Sequence, residues 1–232
     1  VGVGAPPPPT TPEREDTMPL NILLIDGHPD GTQEGGRFSS HLLDLYQEAL
    51  PSDCTVTRVN VRDMNFTPIL RRGYLKRTEW EPDITALAEK LDACDHVVFS
   101  FPMWWGAEPA ELKGLIDRLF LPGFTYQFNE GSAFWHKYME GRSADVLVTM
   151  DTPPFFLRLI YGNAIIHRWK KQVLGFCGFK PVRFAAFGPI NHGGAEKGVE
   201  KWKKKIFWMA RSINPKKRDK KQPRLAAFLA GS

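Results

Sequence analysis

Along this chain, short apolar runs alternate with segments whose apolar residues recur every three to four positions. The runs at residues 20–26 (LNILLID), 54–61, 96–101 (HVVFSF), 144–150 (ADVLVTM) and 181–187 (PVRFAAF) are strand-length and rich in β-branched or aromatic residues. Between them, helical spacing appears in Phe38, Leu42, Leu45, Tyr46 and Ala49, again in Ile84, Leu87, Ala88 and Leu91, and again in Leu112, Leu115, Ile116, Leu119 and Phe120. Residues 165–176 and 195–210 predict the last two helices, the second with Val199, Trp202, Ile206 and Met209 on one face. Five strand–helix pairs predict an α/β fold: an open, doubly wound, five-stranded parallel sheet with helices on both faces.

No internal repeat interrupts that alternation, so residues 19–213 are expected to form one domain. Residues 1–18 are dominated by Pro and Thr, lack the apolar core of a signal peptide, and predict a disordered leader. Residues 214–232 read as a basic C-terminal tail. From Glu200 to Arg224 there are eleven Lys and Arg against two Asp and Glu, in a chain whose net charge is only +5, so the rest of the chain is mildly acidic. No nucleic-acid motif accompanies this charge, and a solvated tail of unassigned partner is the simpler expectation.

The 232 residues are 42% hydrophobic and 25% charged, ordinary values for a globular protein, and no apolar run is long enough for a membrane-spanning helix. Three scattered cysteines without a CxxC pair suit neither a disulfide framework nor a zinc site, and no metal site is expected. A reducing cytoplasm is the expected location. Sixteen Phe and seven Trp are a heavy aromatic load for one domain, which suggests that something flat is bound.

Parallel open sheets bind ligands beyond the carboxyl ends of their strands, where strand order reverses. Three loops therefore matter. The loop at 27–36 (GHPDGTQEGG) opens a helix, so free backbone N–H groups and the helix dipole favour a phosphate there, with His28, Arg37 and Ser39 adding donors. It lacks the Walker and dinucleotide glycine patterns. The second loop, Pro102-Met103-Trp104-Trp105-Gly106, sets large flat side chains beside backbone amides, as a wall for an aromatic ring system would require. The third, Asp151-Thr152-Pro153-Pro154, places a polar pair at a strand end.

Four passages resemble the NAD(P)H:quinone oxidoreductase family, the flavodoxin-like enzymes that include DT-diaphorase and the modulator-of-drug-activity relatives. They are GHP…RFSSHL at 27–42, DMNFTPI at 63–69, FPMWWGAEPAELKGLIDRLFLPGFTY at 101–126 and LGFCGFKPV at 174–182. The third is the most specific, and the similarity runs from about residue 21 to 206. The resemblance implies a flavodoxin-like fold and a homodimer with its active site at the dimer interface. It also implies a tightly held flavin (FMN, with FAD the alternative) that takes hydride from NAD(P)H and passes two electrons, ping-pong, to a quinone-like acceptor. Carried over by motif, His28, Arg37, Phe38 and Ser39 match the phosphate loop, and Pro102, Met103, Trp104, Trp105 and Gly106 match the loop along the ring.

Asp151 and Thr152 fall where the family has Thr-Thr-Gly-Gly, a departure that removes the close Gly-Gly backbone approach. Tyr161 and His167 have the six-residue spacing of the family's catalytic Tyr and His. The distance along the chain from His167 to Cys177 is shorter than in mammalian members. Two alternatives stand beside quinone reduction: an azo- or nitroreductase, and a regulatory subunit docking on a partner such as a potassium-efflux transporter, as some relatives do. A plain electron-carrier flavodoxin fits less well, since those are strongly acidic and carry a different phosphate loop.

Overall fold

The computed structural model describes residues 19–31, 37–191, 193–215 and 224–230. The expected leader, the middle of the first loop and much of the basic tail lie outside them. In chain order the elements are β1 (Asn21–Asp26), α1 (Phe38–Ala49), β2 (Thr55–Asn60), α2 (Pro82–Ala93), β3 (His96–Pro102), α3 (Ala110–Leu119), β4 (Tyr126–Phe128), β5 (Trp135–Lys137), β6 (Ser143–Thr149), α4 (Pro154–Leu159), α5 (Ala164–His167), α6 (Leu174–Cys177), β7 (Val182–Phe187), α7 (Gly194–Arg211) and α8 (Arg224–Ala230).

β1, β2, β3, β6 and β7 are the five expected strands. They form one parallel sheet in the order β2-β1-β3-β6-β7. Alternation along each strand divides its side chains between two cores. Leu23, Ile25, Val97 and Phe99 face the side covered by α2 and α3, and Ile22, Leu24 and Val98 face α1 and α7. Both faces being dry is why these strands read as nearly continuous apolar runs. No helix among the described residues is long and apolar enough to cross a membrane.

Three features depart from the pattern read in the sequence. β4 and β5 form a separate antiparallel pair between α3 and β6, held by an aromatic cluster in which Trp135 stacks on Phe176 at 4.5 Å between centroids. The helix expected over 165–176 is interrupted by a π-helical turn at Arg168–Val173 and ends at Gly178, whose φ of +110° favours glycine. Within the segment read as tail, α8 docks back on the domain: Phe228 is buried, 4.6 Å from the Trp80 ring, with Arg77 over its face at 3.7 Å.

Buried ion pairs brace both ends of the sheet. Asp145 accepts from Tyr46 Oη at 2.7 Å and from Arg183 Nε and Nη2 at 2.6 Å each, with His96 Nε2 at 3.5 Å. Burial works to raise the Asp145 pKa, but His96 and Arg183 outweigh it and hold the carboxyl below its ordinary value. Near the carboxyl ends, the fully buried Glu108 carboxylate meets the Arg168 guanidinium and the Trp169 indole N–H, tying the segment after Gly106 to the π-helical turn. Such pairs hold geometry more than they add stability.

Candidate functional site

The sheet order reverses at β1, whose neighbours β2 and β3 lie on opposite sides. A cavity of about 700 Å³, ample for a cofactor-sized ligand, opens beyond the carboxyl ends of the strands. Its walls come from the three expected loops and from a fourth, the connection after β7.

At the first loop, β1 ends in the fully buried Asp26. Gly27 donates to Ser100 O at 2.8 Å, and a Cβ there would meet Leu112 Cδ2 at 2.4 Å, so a larger residue would require Leu112 to shift. Asp26 accepts from the His28 backbone N–H at 3.1 Å, from Ser40 Oγ and from Arg62 Nη1 at 2.8 Å, which ties the loop to α1. Asp30 N–H donates to His28 Nδ1 at 3.1 Å, so the neutral imidazole carries its proton on Nε2, available as a donor. Burial, then the nearby Arg37, lowers the His28 pKa and favours this neutral form. Arg37 pairs with Asp30 and occupies the N-cap of α1 without a side-chain cap bond.

The first turn of α1 therefore keeps unsatisfied backbone donors. Beside them the Ser39 hydroxyl is buried and has no hydrogen-bond partner among the described residues, although the Ser39 carbonyl accepts from Ser100 Oγ at 2.7 Å. An orphaned hydroxyl next to orphaned helix amides fits a phosphate group in kind and position.

At the second loop, Met103 N–H donates to Thr149 O at 2.8 Å, while Trp104 and Ala107 exchange backbone bonds of 2.8 and 3.0 Å across a two-residue turn. Trp105 (φ +51°) and Gly106 (φ +79°) are both left-handed, as such a tight turn requires, and the conformation is unfavourable for Trp105. Pro102, Met103 and Trp104 line the cavity, with Trp104 edge-on to His28 at 5.8 Å. The turn lifts Trp105 into solvent, fully exposed, and neither it nor Gly106 lines the cavity.

At the third loop, Thr149, Met150 and Asp151 line the cavity and Thr152 does not. Tyr161 and His167 do not reach it either. The chain reverses between them through two left-handed residues, Gly162 (φ +57°) and Asn163 (φ +56°), so six-residue spacing puts them on no common helical face. Within the single chain they are not brought together with the loops.

Sequence reasoning missed the fourth wall: Ile190, Asn191, Ala195 and Glu196, together with His41 and Asp44 from α1. Its only signal was position, following the last strand. Gly188 lets this wall approach the third loop, since a Cβ there would meet Met150 O at 2.4 Å. The cavity thus sets the neutral His28 and the Asp30-paired Arg37 on one side and the carboxylates of Asp44, Asp151 and Glu196 on the other.

A family model described as flavodoxin-like fold matches residues 20–206. The chain is also 30% identical over 214 residues to NAD(P)H dehydrogenase [quinone] 1 of Rattus norvegicus, covering 79% of this chain and 75% of that one. It belongs to the flavodoxin-like NAD(P)H:quinone oxidoreductase family. As a family member it is an enzyme, an NAD(P)H-dependent oxidoreductase. Among solved structures, the protein Smu.1420 of Streptococcus mutans UA159 superposes with a TM-score of 0.69 at 28% identity, covering 84% of this chain and all of that one. The NAD(P)H:quinone oxidoreductase of Methanothermobacter marburgensis, at 21% identity and with the same coverage, shares the fold with a TM-score of 0.70.

Proposed function

We propose that this oxidoreductase holds a flavin in the cavity at the sheet reversal, and passes two electrons from NAD(P)H to a quinone or similarly flat aromatic acceptor. The observation that carries the reading is the buried Ser39 hydroxyl, unpartnered at the uncapped start of α1 and facing a cavity with an aromatic wall. Ser39 Oγ, the first-turn amides of α1 and His28 Nε2–H would hold the phosphate. Pro102, Met103 and Trp104 would lie along the ring, with Thr149 and Asp151 toward its polar edge. Bound there, the flavin supplies the two-electron relay, and the protein supplies orientation and fixed dipoles. FMN is the preferred form and FAD the alternative.

The neutral His28 and the first-turn amides favour a bound anion without a charged partner buried beside it. Trp104 keeps water from one side of a bound ring. The departure at Asp151–Pro154 leaves fewer amides to the polar edge, since Pro153 and Pro154 have no N–H.

A homodimer is part of the same proposal. Trp105 on the second loop, and Phe155, Leu159, Ile160 and Tyr161 beyond the third, are large apolar side chains left exposed on segments that follow the cavity's strands. A second copy covering them would also enclose the acceptor site.

The test is a near-ultraviolet and visible absorbance scan of the purified protein, before and after anaerobic NADPH. Yellow protein that bleaches on NADPH is expected, and chromatography of heat-released flavin then separates FMN from FAD. Colourless protein that takes up neither flavin would overturn the reading.

A further inference from the structure

We propose that a second cavity, remote from the first, binds a nucleoside polyphosphate. It has a volume of about 550 Å³ and is bounded by α5, the π-helical turn, the stretch from Gly175 to Val182 and the residues after β5. Lys180 and Val182 stand at the amino-terminal end of the edge strand β7, so this cavity lies at the opposite end of the sheet from the first and shares no lining residue with it.

Its charge is one-sided. Lys137, Lys170, Lys171 and Lys180 line it against a single carboxylate, Glu140, with the His167 ring beside them. The described residues form twelve ion pairs, and none includes any of these four lysines. Lys137 Nζ lies over the Trp135 ring at 5.2 Å. With Lys170, Lys171 and Lys180 it gives the concavity an excess of positive charge, which a ligand with several adjacent negative charges relieves. Lysine binds phosphate as a rotatable point charge and needs no fixed fork geometry.

Beneath that rim the surface is apolar: Ile166, Val182 and the buried Phe179. An inorganic anion would leave it uncovered, whereas a nucleoside would lie against it, and the volume suits a ligand of nucleotide size. Two glycines let the segments that bound it pack closely. A Cβ on Gly178 would meet Glu140 N at 2.9 Å and Lys137 Cβ at 3.0 Å, and one on Gly175 would meet Lys170 O at 2.3 Å across the π-helical turn. The LGFCGFKPV passage, which contributes nothing to the first cavity, thus shapes the second.

The experiment titrates the flavin-loaded, full-length protein with ATP, following the backbone amides of Gly175 and Gly178 by NMR and the affinity by calorimetry. Both amides are expected to shift, with affinity falling steeply as salt rises. The double variant K170A/K180A, and separately Lys171→Glu, should each weaken ATP by about tenfold or more, with NADPH-driven turnover unchanged. ATP should also bind more tightly than tripolyphosphate, and adenosine should not bind. Unmoved Gly175 and Gly178 amides at saturating ATP would overturn the proposal, as would variants that bind like the parent. Tripolyphosphate binding as tightly as ATP would also overturn it, leaving an inorganic anion site, and so would a single-stranded RNA that displaces ATP and binds more tightly.

Discussion

Asn191 grips the Asp151 carboxylate with two bonds, from its backbone N–H at 3.0 Å and its side-chain amide at 2.6 Å. The pair joins the loop after β6 to the loop after β7 across the mouth of the main cavity. It braces the third loop by a side chain just before Pro153 and Pro154, which have no N–H of their own.

Asp151→Ala and Asn191→Ala should therefore act as one unit. Each is expected to raise the flavin dissociation constant several-fold while lowering stability by about 1 kcal/mol. The double variant should be no worse than either single one. Fluorescence titration of flavin into the three variants measures the coupling, and fully additive losses would show that the two residues act separately.

Ser39→Ala offers a contrast between stability and binding. The Ser39 hydroxyl is buried without a partner, so removing it should leave the melting temperature of the flavin-free protein unchanged or slightly higher. Flavin affinity should fall by about fivefold or more, and further when His28→Ala is added. A Ser39→Ala protein that retains flavin like the parent would refute the phosphate assignment.

Trp104 and Trp105 should separate by role. Trp104→Ala removes part of the cavity wall and should weaken flavin retention in any oligomeric state. Trp105→Gly relieves a left-handed tryptophan and should stabilise an isolated chain by about 1 kcal/mol, yet raise the dimer dissociation constant in sedimentation experiments. Loss of flavin retention without any change in dimerisation would instead place the Trp105 ring against the flavin.

Asp145 sets an acid limit. Its folded pKa lies below the ordinary 3.8, so between those two values the unfolded chain binds more protons than the folded one. The stability Asp145 contributes is present above about pH 3.8 and is lost as pH falls through the folded pKa. Urea unfolding across that range should show an acid slope that Asp145→Asn makes shallower. The variant should also be less stable at neutral pH, because Arg183 and Tyr46 lose their buried partner.

The five strands and the principal helices were legible in the sequence because burial on both faces writes itself into local periodicity. The first two loops were legible as cavity-lining candidates, since glycine, tryptophan and serine at strand ends have properties that depend on near neighbours. His28, Ser39 and Trp104 line one cavity. What the sequence could not determine depends on contacts between distant residues. Gly188 admits the loop after β7 as a fourth wall, and the left-handed pairs Trp105–Gly106 and Gly162–Asn163 turn side chains away from where spacing alone would aim them. Phe228 finds Trp80 across 148 positions of chain and draws part of a basic tail into the fold. Periodicity records which face of an element is dry. Only tertiary packing decides which loops meet, because that depends on strand order and on the few backbone positions where two segments can approach.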